Sequence, residues 1–353
     1  HEPNIQEHQD YIQRGLFTGA YLYEVFQKVV HNIQPDLVVF FNGRFIESRS
    51  LLRVCQQNKI DYATHERAGK LNRFLFRYNS IPHSLETIAK EMETLWETAG
   101  EDKYEIGTRF YLNRRKGVED AWYSFTKEQQ VGRLPKSLEN AKKVVTIFNS
   151  SLDEYEGLEG FGPFFYKNDN EGIRLICESL EDNSNISLYL RIHPNLKGLN
   201  NSQNQYIKEQ IAPCKHLEII AAEDSVDTYA LIERSDIVIV FGSTVGAEAV
   251  FLNKKVILLG RAAYEHLQCI AIPENHQELI EMITNDAYAF PKINHEETLK
   301  YGYWNETFGY DYKQYEPSAI SDGKYRGQVI KANKLIRRWN RYAQKWRKIF
   351  AKN

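Results

Sequence analysis

The stretch Phe241–Gly260 (FGSTVGAEAVFLNKKVILLG) constrains the possible fold of this chain more than any other part of its sequence. It overlaps the apolar run Asp236–Phe241, which is rich in Val and Ile and too short for an ordinary helix, so a buried strand is predicted. A small polar turn at 242–244 then leads into a helical pattern over 246–253, and Lys255–Leu259 has the pattern of the next buried strand. The stretch therefore predicts a βαβ unit.

The polar turn of this unit is suited to bind an anion. Gly242, Ser243 and Thr244 offer backbone N–H groups and two hydroxyls, and Thr244 can cap the helix that follows. Glu248, one turn into that helix, is placed to accept hydrogen bonds from a ribose or sugar hydroxyl. The same residues are also compatible with an ordinary strand–helix turn with a Ser/Thr cap and a surface carboxylate. The sequence of this stretch alone leaves both interpretations open.

Strand-like and helix-like segments alternate through the C-terminal part of the chain, which predicts an α/β fold with a doubly wound parallel sheet. Besides the two strands above, the strand-like runs are Lys143–Phe148, Ser187–Ile192, Leu217–Ala221 and Cys269–Ile272. The other helical patterns are at about 169–181, 202–211, 225–234 and 275–285.

The N-terminal part gives a weaker pattern. Residues 1–35 are predicted to be helical, strands are predicted at Leu37–Phe41 and Ile60–Thr64, and a helix is predicted between them at about 47–57. Residues 82–140 are mostly helical and charged in pattern. Two strands are fewer than a complete Rossmann domain needs. Either further strands precede this segment in the natural protein, or strands within it escape the pattern.

Length and composition favour a two-domain protein of a reducing compartment. The chain has 353 residues, of which 42% are hydrophobic and 26% charged, enough for two domains with cores of their own. It contains no apolar run of the ~18 residues that a membrane span requires and no visible signal peptide, so a cytoplasmic location is expected. Its four cysteines are scattered and form no CxxC pair, which fits free thiols better than a disulfide framework.

The charge is unevenly distributed along the chain. Lys331–Asn353 holds nine Lys and Arg residues and no Asp or Glu, although the whole chain has a net charge of −2. The body of the protein is therefore acidic. Because nucleic-acid binding requires a basic face on the folded domain, this distribution argues against a nucleic-acid partner.

Three polar clusters are expected to meet at one edge of the predicted sheet. Each cluster lies just past a predicted strand, and the clusters are Asn149–Tyr155, His193–Pro194 and Gly242–Thr244. Parallel strands present their carboxyl ends at the same edge, which is where open α/β sheets bind ligands. The clusters therefore predict a ligand site at this edge.

Each candidate also has a plain structural explanation. Asp153 and Glu154 have the charge that the first turn of a helix favours, and His193 is compatible with an ordinary loop histidine. Glu66 and Arg67, which follow the second N-terminal strand, are compatible with an exposed ion pair worth under ~1 kcal/mol.

The motifs together resemble those of the GT-B-type glycosyltransferases of bacterial surface polysaccharide biosynthesis, the capsule and O-antigen proteins, including those that use CMP-activated Kdo. The matching motifs are SSLDE (150–154), RIHP (191–194) and SDIVIVFGSTVGAEAVFLNKKVILLG (235–260), with weaker matches at NGRF (42–45) and HERAG (65–69). The Ser-Thr-x-Gly-x-Glu-Ala run is fairly specific, whereas His–Pro alone is not.

The resemblance implies two Rossmann-like domains in a GT-B arrangement, facing each other across a cleft. It implies an N-terminal acceptor-side domain at 1–139 and a C-terminal nucleotide-sugar-binding domain at 140–310. A linker with a basic amphipathic helix is predicted at 311–353 from the residue pattern of the tail. The expected partners are a nucleotide-sugar donor and a glycan or lipid-linked glycan acceptor. No cofactor and no metal ion are expected, since no DxD motif stands in a suitable place.

The resemblance also assigns roles to individual residues. It makes His193 the histidine near the donor phosphate, Asp153 a candidate reactive carboxylate, and Glu66 a candidate acid/base from the opposite domain. The donor-binding residues that it implies are Ser150, Ser151, His193, Pro194, Gly242, Ser243, Thr244 and Glu248. Glycosyl transfer needs stabilisation of a departing phosphate and removal of a proton from the acceptor hydroxyl, and this set offers groups for both needs.

Three other functions are compatible with the same architecture. They are a UDP-sugar epimerase, a transferase of polyol phosphate from a CDP-activated donor, and a non-catalytic scaffold with a GT-B fold. The scaffold is less favoured because Asp153, His193, Ser243 and Thr244 are all present at the expected edge. The transferase, with a CMP-sugar such as CMP-Kdo as donor, is the favoured function.

The C-terminal tail has the pattern of a basic amphipathic helix. Its apolar positions, spaced by steps of four and three, are Leu335, Trp339, Tyr342, Trp346 and Ile349. Lys and Arg occupy the rest of the circumference, which suits the surface of an anionic membrane. Peripheral association with the inner face of the cytoplasmic membrane is therefore expected, with packing of the aromatic face on the N-terminal domain as the alternative.

Overall fold

The computed structural model describes residues 5–120, 124, 126–319 and 322–331. The helices are α1 (Gln9–Ile33), α2 (Ile46–Asn58), α3 (Leu85–Thr98), α4 (Lys103–Arg115), α5 (Asp169–Leu180), α6 (Ser202–Tyr206), α7 (Thr228–Arg234), α8 (Val245–Phe251), α9 (His276–Thr284) and α10 (His295–Thr307). The strands are β1 (Leu37–Phe41), β2 (Asp61–Arg67), β3 (Arg73–Tyr78), β4 (Lys143–Phe148), β5 (Ile186–Arg191), β6 (Leu217–Ile220), β7 (Ile237–Val240), β8 (Lys255–Leu258), β9 (Tyr310–Asp311), β10 (Tyr315–Ala319), β11 (Asp322–Tyr325) and β12 (Gln328–Lys331). The predicted tail helix lies outside the described residues.

The C-terminal unit is the doubly wound sheet that the sequence predicts. Its five strands are all parallel and lie in the order β6-β5-β4-β7-β8. Alternate residues of β4 face two separate apolar cores, Val144 and Phe148 on one side and Val145 and Ile147 on the other. Both faces of the sheet are therefore buried, which explains the continuous runs of Val and Ile in its strands.

Three predicted segments of this unit are revised. Cys269–Ile272 is not a strand, because Ala271 makes only a single bridge to Ile257 at the edge of the sheet. The helix predicted at 225–234 begins at Thr228, where the side chain of Asp227 accepts hydrogen bonds from the backbone N–H groups of the first turn. The helix predicted at 202–211 is a short α-helix that continues as a π-helical turn.

The N-terminal unit contains strands that the sequence pattern does not reveal. Its sheet has the order β1-β2-β3-β9, in which β1 and β2 are parallel while β3 runs antiparallel to both of its neighbours. The last of these strands, β9, comes from the far end of the chain. The predicted α/β class is confirmed, and the two units face each other across a cleft as the resemblance implies.

Helix α10 carries the chain back to the N-terminal unit, where it packs against α4 and α3. The helices approach closely at two glycines, since a Cβ at Gly302 would collide with the carbonyl oxygen of Gly107. The hydroxyl of Tyr111 also donates to the carbonyl oxygen of Thr298 over 2.6 Å. This packing brings α4, with the cleft-lining Arg114, into a fixed position beside the C-terminal sheet.

A small antiparallel sheet of β10, β11 and β12 follows β9 and was not predicted. The domain boundaries at 139/140 and 310/311 stay a prediction, and the second of them falls within β9. None of the helices in the described part of the chain is both long and apolar enough to cross a membrane.

Candidate functional site

A cleft of about 650 Å³ lies between the two units at the carboxyl ends of β4, β5 and β7. The C-terminal unit lines it with members of all three predicted polar clusters, among them Ser150, His193 and Ser243. The N-terminal unit contributes Arg44, from the turn after β1, and His83, from the loop before α3. The geometry of a parallel sheet thus brings together residues that lie far apart in the sequence.

The turn after β4 is held rigidly by buried side chains. The backbone N–H of Ser150 donates to Asp169 Oδ2 over 2.9 Å, and the Ser150 hydroxyl donates to the carbonyl oxygen of Phe241 over 3.3 Å. Complete burial raises the pKa of Asp169 to about 7. Ser151 is fully buried and is not among the described residues that line the cleft. Its hydroxyl donates a hydrogen bond to the carboxylate of Asp153.

The adjacent carboxylates Asp153 and Glu154 differ in their surroundings. Glu154 lines the cleft, and its Oε1 accepts a hydrogen bond of 2.5 Å from Asn195 Nδ2. Neighbouring protein partly desolvates the Glu154 carboxyl and raises its pKa; the nearby Asp153 charge acts in the same direction, whereas Asn195 and Arg44 oppose it. Both residues are exposed, but Asp153 is not among the described lining residues.

His193 lines the cleft with a neutral imidazole at neutral pH. Its backbone N–H donates to Asn149 Oδ1 over 2.8 Å, and its Nδ1 accepts from the backbone N–H of Asn195 over 3.2 Å. Burial lowers the pKa of His193 to about 4; the Asp153 charge opposes this shift and the Arg191 charge adds to it. Since Nδ1 is an acceptor, the single proton of the neutral ring is on Nε2, which makes that nitrogen a hydrogen-bond donor.

Pro194 also lines the cleft and starts a short 3₁₀ turn, Pro194–Leu196. Its fixed φ suits the first position of such a turn. The turn directs the chain so that Asn195 reaches both the ring of His193 and the carboxylate of Glu154.

The Gly-Ser-Thr turn lies at the cleft wall after β7. Gly242 has a φ of 112°, and a Cβ there would lie 2.8 Å from the carbonyl oxygen of Arg261, so glycine is required at this position. Thr244 occupies the N-cap position of α8, but its hydroxyl makes no capping bond. It lies instead 3.3 Å from Glu248 Oε1 and 3.2 Å from Arg114 Nη2, which corrects the predicted capping role.

Glu248 is buried and already engaged by protein groups. Its carboxylate pairs with Arg114 Nε at 3.3 Å and accepts hydrogen bonds from the hydroxyls of Tyr229 and Thr244. The charge of Glu248 raises the pKa of Arg114. The predicted contact of Glu248 with a sugar hydroxyl would therefore compete with these three donors.

Glu66 is not among the described residues that line the cleft, and hydrogen-bonded neighbours connect it to the cleft wall. Its two carboxylate oxygens accept hydrogen bonds from Asn42 Nδ2 at 2.5 Å and from the backbone N–H of Arg67 at 3.0 Å. The same amide nitrogen of Asn42 lies 3.5 Å from Nε2 of the cleft-lining His83. Burial, assisted by the charge of Arg44 and opposed by that of Glu66, lowers the pKa of His83, so this imidazole is also neutral at neutral pH.

Four arginines in the cleft wall were not predicted as site residues. They are Arg44, Arg114, Arg191 and Arg261, and the carboxylates among the described lining residues are Glu154 and Glu248. Arg44 and Arg191 donate hydrogen bonds to backbone carbonyl oxygens. Because these acceptors are neutral, they do not cancel the positive charge of the two arginines. Among the residues that the structure describes, no group of three or more His, Cys, Asp or Glu side chains could hold a metal ion.

Two of these arginines had a signal in the sequence. Arg44 and Arg191 belong to the NGRF and RIHP motifs that carry the resemblance. Arg114 is positioned by the long-range packing of α4 and therefore has no local signal.

Three solved structures illustrate what this chain is similar to. A KpsC beta Kdo 2,4 transferase of Thermosulfurimonas dismutans has 13% identity and a TM-score of 0.45, with 75% of this chain and 78% of that chain covered. A KpsC beta Kdo 2,7 transferase of the same organism has 14% identity and a TM-score of 0.44, with 78% of each chain covered. The UDP-GlcNAc 2-epimerase of Neisseria meningitidis has 13% identity and a TM-score of 0.38, with 81% and 78% covered. Comparison with curated protein sequences finds no match.

The comparison with protein families gives a direct match. The profile of the capsule polysaccharide biosynthesis proteins matches residues 77–268, which is more than half of the chain. This region contains the SSLDE, RIHP and Gly-Ser-Thr motifs on which the predicted resemblance depends, and the resemblance is thereby confirmed. The chain belongs to the family of capsule polysaccharide biosynthesis proteins.

Proposed function

We propose that this protein is a glycosyltransferase that moves a sugar from a nucleotide-activated donor onto a growing bacterial surface glycan. The observation that carries the proposal is the cleft itself. It lies at the carboxyl edge of a parallel sheet, between two units, and its described wall holds four arginines and the neutral His193. A cleft between two units accommodates a donor and an acceptor together. Arg114 and Arg261 pair with Glu248 and Glu265, so the positive charge that suits a phosphate comes from Arg44 and Arg191.

The donor phosphate would be bound by the C-terminal unit. Arg191 and the Nε2–H of His193 would stabilise the negative charge that develops on the phosphate as its bond to the sugar breaks. Ser150, Ser243 and Thr244 offer hydroxyl and backbone groups in the same wall. Because Asn195 bonds to the imidazole and Asn149 bonds to the backbone N–H of His193, the Nε2–H group is oriented before the substrate arrives.

The favoured donor is a CMP-activated sugar such as CMP-Kdo. Its support is the resemblance of the motifs at 150–154, 191–194 and 235–260 to those of CMP-Kdo-using transferases. The mechanism is proposed to be independent of a metal ion, with the arginines supplying the positive charge.

A nucleotide panel tests the donor class. CMP, UDP and GDP are each added to the protein in a thermal-unfolding assay, with cytidine as the matched control that lacks the phosphate. A ligand at ~100 times its dissociation constant adds about 2.7 kcal/mol to the free energy of unfolding, which gives a clear shift. We expect CMP to stabilise and cytidine to have little effect. Equal stabilisation by cytidine would contradict a phosphate-binding cleft.

Product analysis then tests the reaction. A new glycosidic bond on a glycan acceptor supports the transferase. A free epimerised sugar nucleotide identifies an epimerase, and transfer of a polyol phosphate from a CDP-activated donor identifies a polyol-phosphate transferase. A protein that binds nucleotide and turns over none of these donors is a scaffold.

The N-terminal unit is proposed to hold the acceptor, a glycan or lipid-linked glycan. Arg44 and His83 line the cleft from this side. If the acceptor is attached to a lipid at the cytoplasmic leaflet, the basic segment at 332–353 would hold the enzyme at that surface, since each Lys or Arg near an anionic membrane contributes about 1 kcal/mol.

A further inference from the structure

Asp169, the first residue of α5, is a buried carboxylate that contacts the wall of the cleft from behind. It is 0% exposed and is not among the described residues that line the cleft. The two residues that donate hydrogen bonds to its side-chain oxygens, Ser150 and Tyr155, both line the cleft. A buried carboxylate costs free energy unless its oxygens are hydrogen-bonded. These two bonds therefore show which groups Asp169 holds in place.

The two hydrogen bonds join both ends of the turn after β4 to α5. At the start of the turn, the backbone N–H of Ser150 donates to Asp169 Oδ2 over 2.9 Å. At its end, the hydroxyl of Tyr155 donates to Asp169 Oδ1 over 2.5 Å. Between these ends, Gln203 of α6 accepts a hydrogen bond from the backbone N–H of Leu152 over 3.1 Å. Because α5 buries its apolar face in one core of the C-terminal unit, the turn is fixed before a substrate binds.

The bond to Asp169 also determines how Tyr155 can contact a substrate. An ionised carboxylate only accepts hydrogen bonds, so the phenolic hydrogen of Tyr155 is held by Asp169. The phenolic oxygen then offers only its lone pairs to a substrate. It can accept a hydrogen bond from a hydroxyl group of a sugar or ribose, but it cannot donate one to a phosphate oxygen. Ionised Asp169 thus makes Tyr155 an acceptor.

Protonation of Asp169 would reverse this arrangement, because a proton on Oδ1 donates to Tyr155 and releases the phenolic hydrogen. Complete burial raises the pKa of Asp169 to about 7; the hydrogen bonds from Tyr155 and Ser150 oppose this shift, and the charge of Glu156 adds to it. Gln203, the side chain that α6 places at the same turn, carries no charge. The reversal therefore falls near neutral pH.

We propose that Asp169 is a positioning residue of the transferase, which fixes Tyr155 as the acceptor of a hydrogen bond from a sugar or ribose hydroxyl of the bound substrate. The inference rests on the transferase function proposed above. Asp169 touches no substrate itself, since it is fully buried, and acts through Tyr155.

The first test is Asp169→Asn. The amide oxygen of the asparagine can still accept from the backbone N–H of Ser150, and its NH₂ group then donates to Tyr155. The change therefore reverses the polarity of the Tyr155 hydroxyl with little change of shape. We expect kcat/KM to fall about 10–100-fold, the usual cost of one mispaired hydrogen bond in a site.

The matched control is Asp236→Asn. Asp236 Oδ2 accepts a hydrogen bond of 2.7 Å from the backbone N–H of Val144, near the start of β4 and at the opposite end of the sheet from the cleft. Asp236 is not among the described lining residues. The control thus removes a carboxylate that also accepts from the backbone of this part of the chain, and it should keep the wild-type kcat/KM.

The second test is Tyr155→Phe, which keeps the ring and removes the hydroxyl, and which remains informative if Asp169→Asn does not fold. It should lower kcat/KM by a similar factor. The double variant should lose no more than the worse single variant, because both changes remove the same hydrogen bond to the substrate. Losses that add up in the double variant would overturn a role of Asp169 through Tyr155.

The pH profile of kcat/KM separates this role from support of the fold alone. The wild-type value should decrease as the pH falls through about 7, since Asp169 then gains a proton and Tyr155 is no longer an acceptor. This decrease should be absent from Asp169→Asn and Tyr155→Phe and present in Asp236→Asn.

Variants Asp169→Asn and Tyr155→Phe with near-normal kcat/KM, or with the wild-type pH profile, would overturn the inference and leave the transferase function intact. So would a wild-type profile that is flat across about pH 7. A wild-type protein that forms no glycosidic bond from any nucleotide sugar would overturn the proposed function as well.

Discussion

Arg114 Nε lies 3.3 Å from Glu248 Oε1, and this ion pair joins α4 of the N-terminal unit to α8 at the wall of the cleft. The Glu248 side chain is 5% exposed and that of Arg114 is 34% exposed. The pair therefore links the two units through a largely buried charge rather than through a surface contact.

The first prediction concerns the stability that this pair provides. Glu248→Gln should lower the free energy of unfolding by about 1–3 kcal/mol, because it leaves Arg114 beside a neutral amide. This range lies between the costs of breaking an exposed and a fully buried ion pair. Urea unfolding measures the change. The matched control is Glu233→Gln, since Glu233 pairs with Arg115 where both side chains are 45% exposed; that change should cost under ~1 kcal/mol. Equal effects of the two changes would contradict the structural role.

The second prediction concerns His193. His193→Ala should reduce turnover on the order of 10²–10³-fold, the usual loss when one oriented donor to a developing charge is removed. The fold should be kept, because the contact of His193 with Asn149 uses its backbone N–H. Turnover with the donor identified by the nucleotide panel measures the effect, and near-normal rates would contradict the role of His193.

The third prediction is a pH dependence of stability. His193 has a pKa of about 4 in the folded protein against an ordinary value of 6.5. Between these values the unfolded chain binds the proton and the folded protein does not, so stability falls as the pH is lowered from about 6.5 to 4. Wild-type protein should lose on the order of 1–2 kcal/mol more than His193→Gln between pH 7 and pH 5. Urea unfolding at both pH values provides the measurement, and equal losses would show that His193 is not held neutral.

The parts of the fold that were predicted correctly have strong local patterns. All four residues of β7 are buried, so its Ile-Val-Ile-Val sequence is apolar throughout. In β3 the apolar run is only three residues long, Phe74–Phe76 between two arginines, and β9 has only two residues, so neither has such a pattern. Helix α10 buries Thr298 and Glu306, which removes the apolar periodicity that would have revealed it.

The candidate site was predictable in position but not in detail. The carboxyl ends of parallel strands must share an edge, so the sequence predicts that His193 and Ser243 lie at that edge, and both line the cleft there. The direction of each side chain depends on neighbours that come from elsewhere in the chain. Nothing local distinguishes Glu154 from Asp153, and Glu248 was not recognisable as the partner of an arginine from α4.

The fourth prediction concerns the C-terminal segment. The full chain should co-sediment with anionic liposomes at low salt, because nine Lys and Arg residues without a neighbouring acid are attracted to an anionic surface. The control is a chain that ends at Lys331, which should bind much less. Binding that is equal for both chains, or absent in both, would contradict a membrane role for the segment.

The return of α10 and β9 to the N-terminal unit has a consequence for how the protein is made. Residues 295–311, which complete the packing of α3 and α4 and the edge of the β1-β2-β3 sheet, are synthesised after the whole C-terminal sheet. An N-terminal domain usually finishes folding while the ribosome is still translating the rest of the chain. The N-terminal unit of this chain cannot do so. Its first-made unit must wait, with part of its apolar surface uncovered, until residues 295–311 have left the ribosome.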